Sequence, residues 1–185
     1  MSGGLGLLLL SLSVATPRLE AGVFVARPVV LSTGQVLGPT ARGVWSFGAL
    51  EVGVLAQLGW ANEADRAYQV EHRELRALAH LRWSFSVGRG DLGLGLGAGF
   101  VHLQETRSRH QAERLSASGL SAEETGASVG ALVAAEAGLD LRLVDPLGLV
   151  LGAGPNLSWV ADADGLRLGW SAHLGLRVHF GGSDG

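Results

Sequence analysis

Hydrophobic and polar residues alternate with a period of two over most of this sequence. The clearest stretch is residues 166–180, where Leu, Trp, Ala, Val and Phe hold the even-numbered positions and Arg, Gly, Ser and His hold the odd-numbered ones. A helix would scatter both sets around its axis, whereas a strand separates them onto two faces. The stretch is also long enough for a tilted membrane-spanning strand, which needs about 9–11 residues.

The same pattern predicts eight strands in all. The first two are the weakest, because they contain Pro28 and Pro39 and proline cannot donate to a sheet ladder. The predicted strands are residues 20–32, 37–46, 50–60, 74–85, 92–100, 129–143, 147–157 and 166–180. An even number is typical of single-chain outer-membrane barrels. The predicted fold class is therefore all-β: a closed eight-stranded antiparallel up-and-down transmembrane barrel.

The predicted connections alternate in length. Tight turns are expected at residues 46–49, 87–91 and 145–146, and longer polar connections at 61–69, 106–126 and 161–165, with 33–36 as a short exception. Short periplasmic turns and longer external loops are typical of such barrels. A Gly-x-Gly-x-x-Gly motif at residues 88–93 precedes a strand rather than a helix, so it predicts a tight turn and not a dinucleotide site.

Aromatic residues fall near both ends of the predicted strands. Amphipathic rings favour the boundary between acyl chains and headgroups, so two aromatic bands around an aliphatic middle indicate a membrane girdle. The predicted girdle comprises Trp45, Trp60, Trp83, Phe85, Trp159, Trp170 and Phe180.

The opposite face of the strands carries many glycines and a few charged residues. Small residues suit the interior of a narrow barrel, because eight strands leave space only for side chains. Acidic and basic residues are mixed on this face, so we predict a paired network in the lumen rather than an open pore. The predicted network comprises Glu51, Glu74, Arg76, His80, Arg82, Glu136, Asp140, Arg142, Arg167, His173 and Arg177.

Composition narrows the function classes. Charged residues make up 17% of the chain, against roughly 25% in soluble domains, which favours a surface covered by lipid. The net charge of -3 and the lack of a basic run give no indication of nucleic-acid binding. The chain has no cysteine, which excludes disulfides, thiolate nucleophiles and cysteine zinc sites. A soluble lipocalin-like ligand-binding barrel is the alternative, but its outer face would then be rich in glycine and poor in charge.

The N-terminal segment predicts a targeting signal. Residues 5–15 are almost all apolar, which suits a signal-peptide core and is too short for a transmembrane helix. An ordinary buried strand is the alternative interpretation. We therefore expect a signal peptide at residues 1–20, removed between Ala15 and Ala21, a barrel at 21–180 and a short tail at 181–185.

Three segments carry a resemblance to a known family: the strand at residues 75–85, the glycine ladder at 92–100 and Gly175-Leu-Arg-Val-His-Phe180. Over residues 20–180 the chain resembles the small outer-membrane β-barrel proteins, the class that includes the OmpA transmembrane domain and OmpX, and most of all its Gly- and Leu-rich members. The resemblance implies a monomer in the bacterial outer membrane, surrounded by lipid and inserted by the barrel-assembly machinery. That machinery reads a terminal aromatic residue; Phe180 matches, although five residues follow it.

The resemblance also implies a structural role in the cell envelope or the display of surface loops, with no cofactor and no catalysis. A lipid-modifying outer-membrane hydrolase is the second hypothesis, since some barrels of this size are deacylases with a Ser-His-Glu arrangement. That chemistry needs a base within hydrogen-bond reach of the nucleophile, and no Ser closely follows His102. The remaining candidates would meet only through strand register: Ser158, Ser171, His173 and Glu136.

No metal site is expected from the six histidines. His173 and His179 share a face but lie roughly 20 Å apart, at about 3.4 Å per strand residue. The charged connection at residues 106–126 could bind a partner or a surface polysaccharide, but a solvated mobile loop is the favoured interpretation.

Overall fold

The computed structural model describes residues 16–27, 34–64, 69–108, 113–114, 116–118, 125–161 and 165–180. Within these ranges, eight antiparallel strands form a closed ring in chain order, and the first strand pairs with the last. The strands are β1 (Thr16–Ala26), β2 (Val36–Phe47), β3 (Leu50–Ala64), β4 (Gln69–Val87), β5 (Gly90–Arg107), β6 (Thr125–Val144), β7 (Leu147–Val160) and β8 (Leu166–His179). The predicted fold class is confirmed.

The large apolar side chains of the strands point outward. Leu94 and Leu96 on β5 are 63% and 61% exposed, whereas Arg76 and Arg177 in the lumen are at most 1% exposed. A soluble ligand-binding barrel has its large apolar side chains inside and its charged ones outside. The lipocalin-like alternative is therefore wrong. A closed ring also leaves no strand edge unpaired, which a sheet surrounded by acyl chains requires. No helix among the described residues has the length and hydrophobicity needed to cross a membrane.

The first two strands differ from their predicted bounds. β1 begins at Thr16, ahead of the expected barrel boundary at residue 21, and ends at Ala26. Its first residues pair with β2, and from Arg18 onward it also pairs with β8. The signal-peptide core at residues 5–15 and the tail at 181–185 lie outside the described residues.

The wall formed by β3 to β6 is much taller than the sequence pattern predicts. β4, β5 and β6 have 19, 18 and 20 residues, against 11 in β1. In the loop-side part of β4, Glu71 and Arg73 lie on the outer face, where their side chains are 43% and 52% exposed. The outward aliphatic side chains of the strands, such as Leu94 and Leu96, form an apolar band around the barrel. The loop-side part of the wall lies beyond this band. Its outer face is polar, so the alternation that marks a membrane-spanning strand is lost there.

Glycines form the tight turns and permit close strand contacts. Gly48 and Gly88 have φ of 63° and 62° in the β2–β3 and β4–β5 turns, a left-handed conformation that glycine adopts without steric cost. The motif at residues 88–93 is thus part of a turn followed by a strand, as predicted. Within the ladder, a Cβ at Gly53 would lie 2.4 Å from the carbonyl oxygen of Gly43, so only glycine fits there.

We expect Gly53→Ala to destabilise the barrel by about 1–3 kcal/mol, because the added methyl group forces neighbouring backbone apart. Gly43→Ala is the matched control, since a Cβ at Gly43 would meet only a Leu19 methyl group at 3.9 Å. Urea unfolding in lipid vesicles, followed by the heat-modifiable gel shift, measures both. Equal unfolding midpoints for the two variants would contradict the close approach of these strands.

Candidate functional site

A charged network fills the turn-side half of the lumen, and Arg177 on β8 lies at its centre. Its guanidinium forms ion pairs with Glu20 on β1 and Asp140 on β6, and its Nη1 lies 3.5 Å from Glu51 Oε1 on β3. Arg177 is 0% exposed. A buried arginine needs such countercharges, because its desolvation is otherwise costly. The network therefore joins the neighbouring first and last strands at their seam and connects them across the lumen to β3 and β6.

Two further groups extend this network. Arg42 on β2 donates to both carboxylate oxygens of Glu136 at 3.1 and 2.6 Å, the bidentate geometry in which arginine binds most strongly. His173 Nδ1 lies 3.7 Å from Glu136 Oε2. On the other side, Arg18 Nη1 donates to Glu51 Oε1 at 2.9 Å. The charges of the network are thus paired across the lumen instead of lining an open channel.

The glycine ladders of β5 and β7 provide the space for these side chains. A Cβ at Gly93 would lie 1.8 Å from Arg82 Nε, and one at Gly95 would lie 2.5 Å from His80 Nε2. On β7, a Cβ at Gly152 would lie 2.3 Å from His173 Cε1. Beside the large polar groups, β5 and β7 therefore place glycines on the inner face, and this explains the glycine repeats in the sequence.

Apolar clusters fill the middle and the loop-side half of the lumen. One cluster joins Leu55, Leu78 and Leu132. Two more lie nearer the loops, and their members are Phe24, Ala26, Val36 and Ala61 in one and Val101, Leu103 and Val160 in the other. These residues are at most 7% exposed. The lumen is therefore closed twice, by paired charges on the turn side and by packed apolar side chains on the loop side.

A second polar group lies at the loop-side mouth. Arg76 Nε donates to Glu74 Oε2 at 2.9 Å, and Arg76 Nη2 donates to the Arg27 carbonyl at 3.2 Å. Its guanidinium carbon also lies 5.8 Å from the centroid of the Phe24 ring, within the range of a cation–π contact. Arg76 thus fastens the end of β1 to the tall wall.

His72 lies between two carboxylates in the same region, in the part of β4 beyond the apolar band. Its Nε2 is 2.8 Å from Glu74 Oε1 and its Nδ1 is 3.6 Å from Glu105 Oε1. Burial by itself would lower the pKa of His72, but the carboxylates of Glu105 and Glu74 outweigh it and raise this pKa to about 9. His72 is therefore protonated at neutral pH, and it lowers the pKa of Glu105 in return.

We expect the barrel to lose stability as the pH rises from about 6.5, the pKa of an unfolded histidine, through the folded pKa of about 9. The folded pKa is the higher one, so the stabilisation is complete below this window and absent above it. Unfolding midpoints in urea across the window measure the effect. His72→Gln removes the titrating group and should flatten this part of the profile; an unchanged profile would contradict the assignment.

The structure places the predicted lumen residues in three groups. The turn-side network contains Glu51, Arg82, Glu136, Asp140, His173 and Arg177, with His80 beside it. The loop-side group contains Glu74 and Arg76. Arg167 is half-buried at the loop end of β8, and its carbonyl accepts from Ser158 Oγ at 3.5 Å. Arg142 pairs with the buried Gly148 near the end of β6, and its side chain is exposed at the turn-side mouth.

Sequence reasoning missed three members of the turn-side network, Arg18, Glu20 and Arg42. The first two fell within the predicted signal peptide, and the proline in β2 weakened the alternation around Arg42. Counting back from the outward Trp45 in steps of two would have placed Arg42 on the inner face. Counting back from the outward Val23 in steps of two would likewise have placed Glu20 and Arg18 on the inner face.

A small cavity lies at the centre of the lumen, lined among others by His80, Glu136, Asn156, Ser171 and His173. Its volume is about 20 Å³, which accommodates about one water molecule. Register therefore brings together three of the four hydrolase candidates, but Ser158 lies elsewhere and bonds to Arg167. The cavity has no room for an ester substrate. No cluster of three or more metal-ligating side chains is arranged for an ion in the described ranges.

The predicted girdle residues all lie on the outer surface. Their exposure runs from 40% for Trp60 to 55% for Phe85. Trp45, Trp83, Phe85 and Phe180 are on the turn side, and Trp60, Trp159 and Trp170 are toward the loops. The rings thus flank an aliphatic band, as the boundary between acyl chains and headgroups favours.

Solved structures with the same architecture include bacterial outer-membrane proteins. Neisserial surface protein A superposes with a TM-score of 0.57 at 13% identity, covering 90% of this chain and 97% of that one. Ail of Yersinia pestis superposes with a TM-score of 0.57 at 14% identity, covering 90% of this chain and 99% of that one. A major outer membrane protein of Thermus thermophilus superposes with a TM-score of 0.60 at 11% identity, covering 91% of this chain and 100% of that one. The fold is that of the small outer-membrane barrels. No family model and no curated protein sequence matches the chain.

Proposed function

We propose that this chain is a non-enzymatic protein of the bacterial outer membrane that acts as a sealed structural barrel and displays its longer connections at the cell surface. The observation that carries the proposal is the filled lumen. Charged pairs centred on Arg177 occupy one half, and the clusters around Leu132 and Phe24 occupy the other. Within the part of the chain that the structure describes, a lumen packed in this way leaves no channel for solutes and no internal cavity large enough for a substrate.

The outer surface supports the membrane part of the proposal. Its aliphatic band is flanked by aromatic rings, and the tall wall beyond the band carries charged residues such as Glu71 and Arg73 outward. The tall wall is on the side of the longer connections, and short turns form the opposite end. This polarity matches the usual insertion, with turns in the periplasm and loops outside.

An epitope tag tests both location and orientation. Inserted after Ser118, between β5 and β6, the tag should be labelled by antibody on intact cells. Inserted after Arg89, in the β4–β5 turn, it should be labelled only after the outer membrane is permeabilised. Heat-modifiable migration of each tagged protein controls for folding. Labelling of the Arg89 tag on intact cells, or recovery of the folded protein in the soluble fraction, would contradict the proposal.

Planar-bilayer recording tests the sealed lumen directly. The folded barrel should insert without producing a steady ion current, because the charged and apolar layers leave no continuous water path. A stable single-channel current would contradict the proposal even if the protein is correctly located. The hydrolase alternative predicts release of fatty acid from outer-membrane lipid by the purified barrel, which the small lumen cavity argues against.

A further inference from the structure

The seam between β6 and β7 contains a gap in its hydrogen-bond ladder. Ala134 pairs with Asn156 and Ala137 with Ala153, but the two pairs between them are missing. Pro155 occupies this position on β7 and has no amide hydrogen. The bond that the register would direct from residue 155 to the carbonyl of Ala135 therefore cannot form.

A groove lies on the lipid-facing surface at this same place. It has a volume of about 410 Å³, and its outward lining residues include Leu81, Trp83, Leu96, Ala137 and Pro155. The large side chains come from β4 and β5, whereas the small ones come from β6 and β7. The surface is recessed because three outward positions around the seam are alanines, namely Ala135, Ala137 and Ala153.

A second groove of about 440 Å³ adjoins the first. The two share Ala137 and Ala153, and the second continues past Leu139 and Leu151 to Ala172 on β8. Together they form a recess across five neighbouring strands, β4 to β8, in the middle of an otherwise bulky apolar band. Pockets of a few hundred Å³ with apolar linings are typical ligand sites.

We propose that this recess, the seam groove, holds one acyl chain of a membrane phospholipid. It opens on the lipid-facing surface, where acyl chains are the molecules present, and its outward lining is apolar. Trp83 lies at one end and belongs to the turn-side girdle, where an indole N–H meets headgroups. The occupant is therefore a lipid of the turn-side leaflet with its headgroup near Trp83. The proposal requires the membrane setting argued above but neither the sealed lumen nor the display of loops.

Exchange of brominated lipid tests the seam groove. A single-tryptophan protein is reconstituted in phosphatidylcholine vesicles with dibrominated acyl chains and then mixed with excess unbrominated vesicles. Trp83, with the other four tryptophans replaced by Phe, should recover its fluorescence at least several-fold more slowly than Trp45 retained in the same way. Trp45 is also on the turn-side girdle, but it does not line the groove. Equal recovery at the two positions would overturn the proposal.

Two matched double variants distinguish filling of the seam groove from the general effect of adding leucine side chains to the lipid-facing surface. Ala137→Leu with Ala153→Leu fills the groove and should abolish the slow recovery of Trp83. Ala79→Leu with Ala98→Leu makes the same change at another outward cross-strand alanine pair and should preserve it. Native mass spectrometry of the wild-type barrel should show one retained phospholipid, which the filled variant loses. A slow recovery in the filled variant, or a protein dimer in place of the lipid adduct, would overturn the proposal.

Discussion

Arg177→Met should destabilise the folded barrel by about 3–5 kcal/mol, which is the cost of removing one partner from a buried ion-pair group. The substitution leaves Glu20 and Asp140 in the lumen without their central countercharge. Methionine fills much of the volume, so the loss reports charge more than packing. Urea unfolding in vesicles at neutral pH, read by the heat-modifiable gel shift, gives the free energy.

Two comparisons isolate the charge effect of Arg177. Arg73→Gln removes an arginine whose ion pair with Glu71 is half exposed, and it should cost less than about 1 kcal/mol. Adding Glu20→Gln to Arg177→Met should restore part of the lost stability, because it removes one of the two buried carboxylates that Arg177 had neutralised. A loss under about 1 kcal/mol for Arg177→Met would show that the lumen hydrates its charges, which is incompatible with a sealed barrel.

Leu96→Arg should destabilise the barrel by about 2–4 kcal/mol, since it places a charge near the middle of the lipid-facing band. Leu96 is 61% exposed and pairs with the outward Leu81 and Ala135. If water surrounds this exposed position, the arginine should leave the stability almost unchanged. If lipid surrounds it, the loss of stability should be large. The same unfolding assay in vesicles measures the difference.

Thr106→Arg is the control for Leu96→Arg. Thr106 lies on the same strand and the same outward face, but in the tall wall beyond the apolar band. The cost there should be about 0–1 kcal/mol, as expected near or beyond the interface. Equal costs at the two positions would mean that the band is not in contact with acyl chains.

Sequence predicted the membrane-spanning part of the fold because lipid imposes a simple rule there. Each outward residue must be apolar, whereas inward residues can be small, charged and paired, or packed against one another, so residues 92–100 and 166–180 alternate clearly. The girdle residues could be assigned from the same rule. Strand partners in an up-and-down barrel follow chain order, so the topology needed no further information.

The tall wall was not predicted because the rule reverses there. On β5, Val101 and Leu103 face inward and are buried while Gln104 faces outward and is exposed, as in a soluble protein. Between Phe100 and Arg107 the apolar residues therefore shift to the other face, and a search for one continuous alternation ends the strand early. The central apolar cluster was missed for another reason: alternation assigns Leu55, Leu78 and Leu132 to the inner face but does not say that they pack together.

The partners within the charged network could not be derived from sequence. Alternation assigns Glu136 and Arg177 to the inner face, but it does not say that Glu136 binds Arg42 rather than Arg82. That choice depends on the stagger between strands and on which glycines leave room for a long side chain. The cavity that collects His80, Ser171 and His173 depends on the same stagger.

The pairing of Glu20 with Arg177 joins residues that are 157 positions apart in the chain. A chain that stops before β8 therefore lacks the strand that completes the ring and also the cation that neutralises Glu20 and Asp140. Such a fragment would leave Asp140 without the arginine that it pairs with and Glu20 with Arg42 Nε at 3.7 Å, beside two open strand edges that hydrocarbon does not tolerate. Premature termination thus yields a chain with neither a closed wall nor a neutralised lumen, so the last strand completes both at once.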